Sequence, residues 1–170
     1  MLGCYVNFPE NIHKAETFST SLSNKKLQQM FIEALFVLNK ASLRIEDVAG
    51  PSVPACKVAF EIGVAEGSDF NFLDAEEKDR LMKALNKTTF QLLDFLIVVR
   101  YGSMEEQKRK LRMKFDYFML RMLFGENSAE AQVFHEKGLR HTSPEDLLNL
   151  VVKRVNAACS KQALKPREDV

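Results

Sequence analysis

At 170 residues and 46% hydrophobic, the chain lies in the size range of a single domain and can bury one core. Its 24 Lys and Arg against 23 Asp and Glu leave no net field that could hold nucleic acid or an anionic membrane. Any electrostatic partner must therefore be recognised by a local patch.

The cysteines and the hydropathy pattern predict a cytoplasmic protein with no membrane partner. Cys4, Cys56 and Cys159 are widely spaced and form no CxxC pair, which argues against a disulfide framework or a structural zinc. We expect them to be reduced thiols. We expect no signal peptide, because residues 1–8 lack a basic region followed by an apolar stretch, and no apolar run in the sequence reaches membrane-spanning length.

The first elements are a strand and a helix. Residues 3–8 are strand-like and end at Pro9, which cannot donate to a ladder. Apolar residues then recur at helical spacing over 24–39, with Ser23 as the predicted N-cap. The prolines within 49–54 predict a loop.

A strand, a helix and a strand follow. Apolar and polar residues alternate over 56–64, the period of a strand with one buried face. Asp74 and Glu77 predict a reciprocally capped helix over 75–86. Residues 92–101 are nearly all apolar, which is typical of a central strand. This order favours a right-handed parallel crossover.

The segment 111–124 fits both a strand and a helix. We prefer the strand, because the turn signal at 125–128 is followed by an alternating pattern that predicts a hairpin and its return strand. Ser143 and Pro144 then predict the start of a last helix, ending near residue 158. Beyond residue 160 the chain has little apolar content, and we expect a mobile tail.

These elements predict a single α+β domain over 1–160, followed by a polar C-terminal tail over 161–170. The predicted order is β-α-β-α-β-β-β-α, with a mixed sheet of about five strands. Three helices are expected to pack mainly on one face of the sheet. An open apolar face of the sheet or an unpaired outer strand is a natural surface for a dimer, so we expect a homo-oligomer, in the form of a dimer, or a protein partner.

Two groups of residues are candidate sites. The first is a basic segment in which five of seven consecutive residues are cationic, next to aromatic residues that could stack on bases: Lys108, Arg109, Lys110, Arg112 and Lys114. A solvated sheet edge or face is the more common explanation of such a run. The second is a corner before the last helix, where His135, Arg140 and His141 could bind an anion or transfer a proton. Ordinary hydrogen bonding of these histidines is the competing interpretation.

No catalytic, metal-binding or phosphate-binding motif is present in the sequence, and we expect no cofactor. The primary hypothesis is therefore a non-catalytic interaction or assembly module. The alternatives are a nucleic-acid-binding domain that uses the basic segment, and a small enzyme or ligand-binding protein that uses the histidine corner. Substrate, pathway and oligomer size do not follow from the sequence.

Overall fold

A computed structural model describes residues 1–50, 56–102, 114–159 and 162–167. These residues form an α+β fold, as predicted, but with eight strands and four helices instead of the expected five strands and three helices. The strands are β1 (Lys14–Ser19), β2 (Ser42–Arg44), β3 (Lys57–Glu66), β4 (Asp69–Phe72), β5 (Leu92–Gly102), β6 (Lys114–Gly125), β7 (Ser128–Gly138) and β8 (Lys165–Pro166). The helices are α1 (Asn24–Leu38), α2 (Glu46–Ala49), α3 (Ala75–Lys87) and α4 (Pro144–Ala157).

The three long helices begin where their capping residues predict. The Ser23 hydroxyl accepts a hydrogen bond from the Lys26 amide at the start of α1, and the Asp74 carboxylate accepts one from the Glu77 amide at the start of α3. Ser143 forms a complete capping box at the start of α4. The predicted return bond from Glu77 to Asp74 is wrong, because the Glu77 carboxylate instead accepts from Arg80 at 2.9 Å.

Every pairing between the strands named above is antiparallel, so the predicted mixed sheet is wrong. The strand order of the sheet is β2-β3-β5-β6-β7-β1-β8, and β4 also pairs with β3. The predicted parallel crossover from β3 to β5 fails because β4 folds back on β3 before α3 begins. The chain then re-enters the sheet near the end at which β3 finishes, so β5 runs antiparallel to β3, with Ile97 opposite Ile62.

Two local predictions near the ends of the chain are also wrong. Residues 3–8 are not a regular strand. Tyr5 forms an isolated bridge with Gly67, Leu2 forms one with Glu66, and the first regular strand in the described residues is β1. The expected tail is docked over residues 162–167. There Ala163 and Leu164 are buried, and β8 pairs with β1.

The strand interpretation of 111–124 is confirmed for its described part, because β6 forms a hairpin with β7 around Asn127. The core lies between the helices and one face of the sheet, where Phe31 of α1 packs edge-on against Phe95 of β5. We call this side of the sheet the core face and the opposite side the outer face. Within the described ranges, no helix combines the length and the apolar character that a bilayer span requires.

Candidate functional site

The basic segment lies largely outside the described residues, which begin again at Lys114. The Lys114 side chain is exposed. Lys114 lies opposite Tyr101 of β5, whose side chain is in the core, so Lys114 is on the core face at one end of the sheet. The aromatic residues Phe115 and Tyr117 alternate with it and point to the outer face. Lys114 and these two rings are therefore on opposite faces.

The structure does bring the histidine corner together, around a carboxylate that sequence reasoning missed. Asp116 is fully buried on the core face of β6. Its Oδ1 atom lies 2.7 Å from His135 Nε2 and accepts from the Arg140 amide at 2.6 Å. Its Oδ2 atom accepts from the Tyr101 hydroxyl at 2.5 Å and from the His141 amide at 3.0 Å. These donors compensate the cost of burying the charge.

The backbone around residue 140 is shaped to deliver these amides. Gly138 has a φ of 127°, and a Cβ atom there would lie 2.3 Å from the Phe115 carbonyl oxygen. Arg140 adopts a left-handed φ of 59° with its side chain exposed. A bulge between β6 and β7 shifts the register by one residue, so that Tyr117 lies opposite Lys137 and the next residue, Phe118, lies opposite His135. Of the three predicted residues, Arg140 and His141 contact Asp116 through their backbone amides, and His135 contacts it through its side chain.

The Tyr101 hydroxyl extends the network toward α4. Burial raises the pKa of Tyr101, and the hydrogen bond to Asp116 raises it further. The Tyr101 oxygen also lies 2.7 Å from the Thr142 hydroxyl. Because the phenol donates its single proton to Asp116, the Thr142 hydroxyl is the donor in this second bond. The network therefore ties β5, β6, β7 and the segment before α4 to one carboxylate.

Chemically, this arrangement is suited to holding the loop rather than to turning over a substrate. Asp116 orients His135 as a carboxylate orients a general base. However, the His135 residue is only 5% exposed, and the carboxylate oxygens are already occupied by hydrogen-bond partners from five residues. The signal that could have revealed Asp116 is its position in the alternating pattern: it falls on the same face of the strand as the buried residues Phe118 and Leu120.

A second feature is an apolar patch on the outer face. We define the outer-face patch as five side chains on three adjacent strands: Leu96, Val98, Tyr117, Met119 and Phe134. None of them belongs to the core cluster that the helices cover. Val98 and Met119 are 9% and 7% exposed, and the other three are partly exposed. The strand register places Met119 between Leu96 and Phe134, which makes the patch continuous.

The two arginines that border the patch are already neutralised within the chain. Arg121 forms a two-pronged ion pair with the buried Asp94, with N–O distances of 2.7 and 2.8 Å, and this contact raises the pKa of Arg121. Arg100 forms an ion pair with Glu61 of β3. The arginines beside the patch therefore offer little free positive charge.

Aromatic residues of the outer face are flanked by cationic or imidazole groups. The Lys137 ammonium lies 4.6 Å from the Tyr117 ring centre, and the Arg100 guanidinium lies 5.7 Å from that of Phe115. The His13 ring stacks on Phe134 at 4.8 Å. His13 Nδ1 also accepts a hydrogen bond from the His135 amide at 2.9 Å, so the outer face and the Asp116 network meet at this point.

No group of three or more His, Cys, Asp or Glu residues that could hold a metal ion occurs in the described part of the chain. Comparison of the chain with family models, with curated proteins and with solved structures found no match. The geometry of the two features above is therefore the basis for a functional proposal.

Proposed function

We propose that this chain is a non-catalytic interaction or assembly module that binds protein through the outer-face patch. The observation that carries the proposal is the continuous apolar strip from Leu96 through Met119 to Phe134. This strip lies on the outer face, and its residues are not part of the core cluster. Leu96, Tyr117 and Phe134 remain partly exposed to water, and a partner that covered them would remove apolar surface from water, which is favourable. The Tyr117 ring at the border of the strip matches the enrichment of aromatic residues in interfaces.

The Asp116 network supports this proposal as a stabilising element. It fixes the end of β7 and the loop that follows, because three strands and the segment before α4 share one acceptor. A fixed sheet is a better docking surface than a mobile one, since less conformational entropy is lost on binding. We place the module in the cytoplasm, a location that the free thiols of Cys4 and Cys159 support.

The test is photo-crosslinking in cells that express the chain. A photoreactive amino acid replaces Leu96 in the patch, and a matched variant carries the same group at Val37, which is 55% exposed on α1. We expect a covalent adduct with protein from position 96 and none of the same mass from position 37. If position 96 gives no protein adduct while the chain remains folded, the outer-face patch is not an interaction surface.

A second candidate function is nucleic-acid binding by the basic segment 108–114 together with the aromatic rings that follow it in the sequence. The observation that favours it is the pair of neighbouring rings, Phe115 and Tyr117, with centres 5.9 Å apart and basic groups beside both. Stacking on such rings tolerates any base. The neutralised Arg100 and Arg121 argue against it, because phosphate binding needs cations that are not already paired.

Binding of fluorescent single-stranded RNA and DNA across a salt series tests this candidate. The native chain is compared with a variant that carries Arg109→Glu and Arg112→Glu in the basic segment. Nucleic-acid binding predicts tight association by the native chain alone, with a steep loss of affinity as salt rises. Equal weak binding by both chains at low salt would eliminate it.

A further inference from the structure

The short strand β4 has one unpaired edge. It pairs with β3 along one side, and no strand in the described part of the chain pairs with its other side. We infer that this edge binds an extended, basic segment of a partner protein, which adds to the sheet as a further strand. The site lies on a different strand from the outer-face patch, so it does not depend on the proposed function.

The backbone of β4 directs hydrogen-bonding groups away from β3. A two-residue turn joins Glu66 to Asp69, which makes them a hydrogen-bonded pair, so every second residue from Asp69 onward bonds to β3. The Leu73 amide follows this alternation and donates to β3 at 2.9 Å. The amides of Phe70 and Phe72 and the Phe70 carbonyl therefore face the open edge, while the Phe72 carbonyl already accepts within the chain. An added strand can bond to all three free groups.

The sequence of β4 lacks the features that usually protect a sheet edge. The outermost strands of the main sheet order are β2, with three residues, and β8, with two, one of which is Pro166. Very short strands, lysine, proline and bulges hinder pairing with another chain. The four residues of β4 include neither lysine nor proline, and their pairing with β3 contains no register shift. Of these three edges, β4 is therefore the one best suited to accept a strand.

A groove of about 610 Å³ lies beside β4 and offers room for the added segment. Phe70 and Phe72 line it from β4, and Glu76 and Arg80 line it from the first turns of α3. The Phe72 residue is 43% exposed, with the Lys40 ammonium 5.3 Å from its ring centre. An apolar side chain of the added strand that packed on this ring would remove apolar area of both from water.

The charges of the groove favour a basic segment. One guanidinium, from Arg80, lines it together with four carboxylates, from Glu66, Asp74, Glu76 and Glu77. Arg80 is already bonded to Glu66 at 2.6 and 2.8 Å and to Glu77 at 2.9 Å. Its contact lowers the pKa of Glu66 to about 2, so that carboxylate stays ionised. Within the described ranges, Asp74 and Glu76 form no ion pair and are left to meet cations of a partner.

Nuclear magnetic resonance titration of the full, isotope-labelled chain with a synthetic peptide of alternating lysine and valine tests the inference. We expect the amide signals of Phe70 and Phe72 to shift and to gain protection from hydrogen exchange, because both amides acquire an acceptor. A peptide of alternating glutamate and valine is the matched control. It should bind about 10-fold more weakly or worse, since its charges are repelled by the groove.

Two pairs of variants separate the backbone from the charge. Phe72→Pro and Phe72→Ala both remove the ring, but only proline also removes the outward amide hydrogen, a change that strand edges tolerate. The proline variant should bind the lysine peptide about 5-fold more weakly than the alanine variant, the loss expected for one hydrogen bond. Glu76→Lys should weaken binding about 5-fold, whereas Asp79→Lys on the same helix should change it less than about 2-fold. Circular dichroism verifies folding.

Each result either supports or overturns the added strand. Shifts at Phe70 and Phe72 that weaken in the Phe72→Pro and Glu76→Lys variants support it. Shifts confined to other residues, or none at millimolar peptide, overturn it, and so does equal binding of the glutamate peptide. Equal affinity of the proline and alanine variants overturns it as well; if the proline variant unfolds, the Glu76 pair decides. The proposed function stands or falls separately, with the crosslink from Leu96.

Discussion

Replacing Asp116 with Asn tests how much the buried network contributes to stability. The substitution keeps the shape of the side chain but removes its charge and turns one oxygen into an NH₂ group. The new NH₂ group must then face either the Tyr101 hydroxyl and the amides of His141 and Thr142, or His135 and the Arg140 amide. Tyr101 and His135 can reverse their roles and accept a hydrogen bond. A backbone amide cannot, so at least one buried N–H loses its acceptor.

The cost follows from those contacts. A buried N–H without an acceptor costs about 1–3 kcal/mol. The remaining donors lose the extra strength of a bond to a charged oxygen, about 1 kcal/mol each. We therefore expect Asp116→Asn to lower the free energy of unfolding by about 3–5 kcal/mol, a large part of the total of about 5–15 kcal/mol that domains of this size have. The change leaves no cavity, so packing contributes little.

Urea unfolding followed by far-ultraviolet circular dichroism measures this loss, since the chain has no tryptophan. Asp79→Asn, on the exposed side of α3, is the matched control and should change stability by less than about 0.5 kcal/mol. Hydrogen exchange should show that the amides of Arg140 and His141 lose protection first in the Asp116 variant. A cost below about 1 kcal/mol, or one equal to that of the control, would refute the reasoning.

Three further predictions concern the same sheet. Gly138→Ala should destabilise by about 2–4 kcal/mol in urea unfolding, because its φ is 127° and the new Cβ would lie 2.3 Å from the Phe115 carbonyl oxygen; a neutral effect would contradict that geometry. The raised pKa of Tyr101 adds stability that is fully present below about pH 10 and is lost as pH rises further, because only the unfolded state ionises there. Tyr101→Phe should flatten this alkaline loss in a stability–pH series, and an unchanged slope would disprove it. Arg121→Met should cost about 2–4 kcal/mol by leaving Asp94 buried without its cation, whereas also replacing Asp94 with Leu should recover most of this loss; a double variant as unstable as the single one would exclude the explanation.

The elements whose signals are local could be predicted from the sequence alone. A capping side chain and an apolar stripe lie within a few residues of each other, so Ser23, Asp74 and Ser143 marked the starts of α1, α3 and α4. The alternation along β3 and the turn at Asn127 are equally local. The α+β class followed from these elements.

Strand pairing could not be predicted in the same way, because a partner strand lies far away in the chain. In β1 only Phe18 is buried, and β4 is short with no fully buried residue, so neither shows a clear alternating pattern by itself. Each becomes a strand because β7 or β3 supplies its hydrogen bonds. Missing β4 reversed the inferred direction of β5.

The same distinction between local and long-range information applies to the Asp116 network and the outer-face patch. The sequence by itself determined that His135, Arg140 and His141 lie just before a helix, since their neighbours carry the capping signal. Only the tertiary structure decided that the buried carboxylate of Asp116 gathers them, because β6 and β7 pair across a bulge. Likewise, alternation marks one face of each strand as apolar. The assembly of three strands side by side decides that Leu96, Met119 and Phe134 form one continuous patch on the outer face, because hydrogen-bond register, rather than residue order, makes them neighbours.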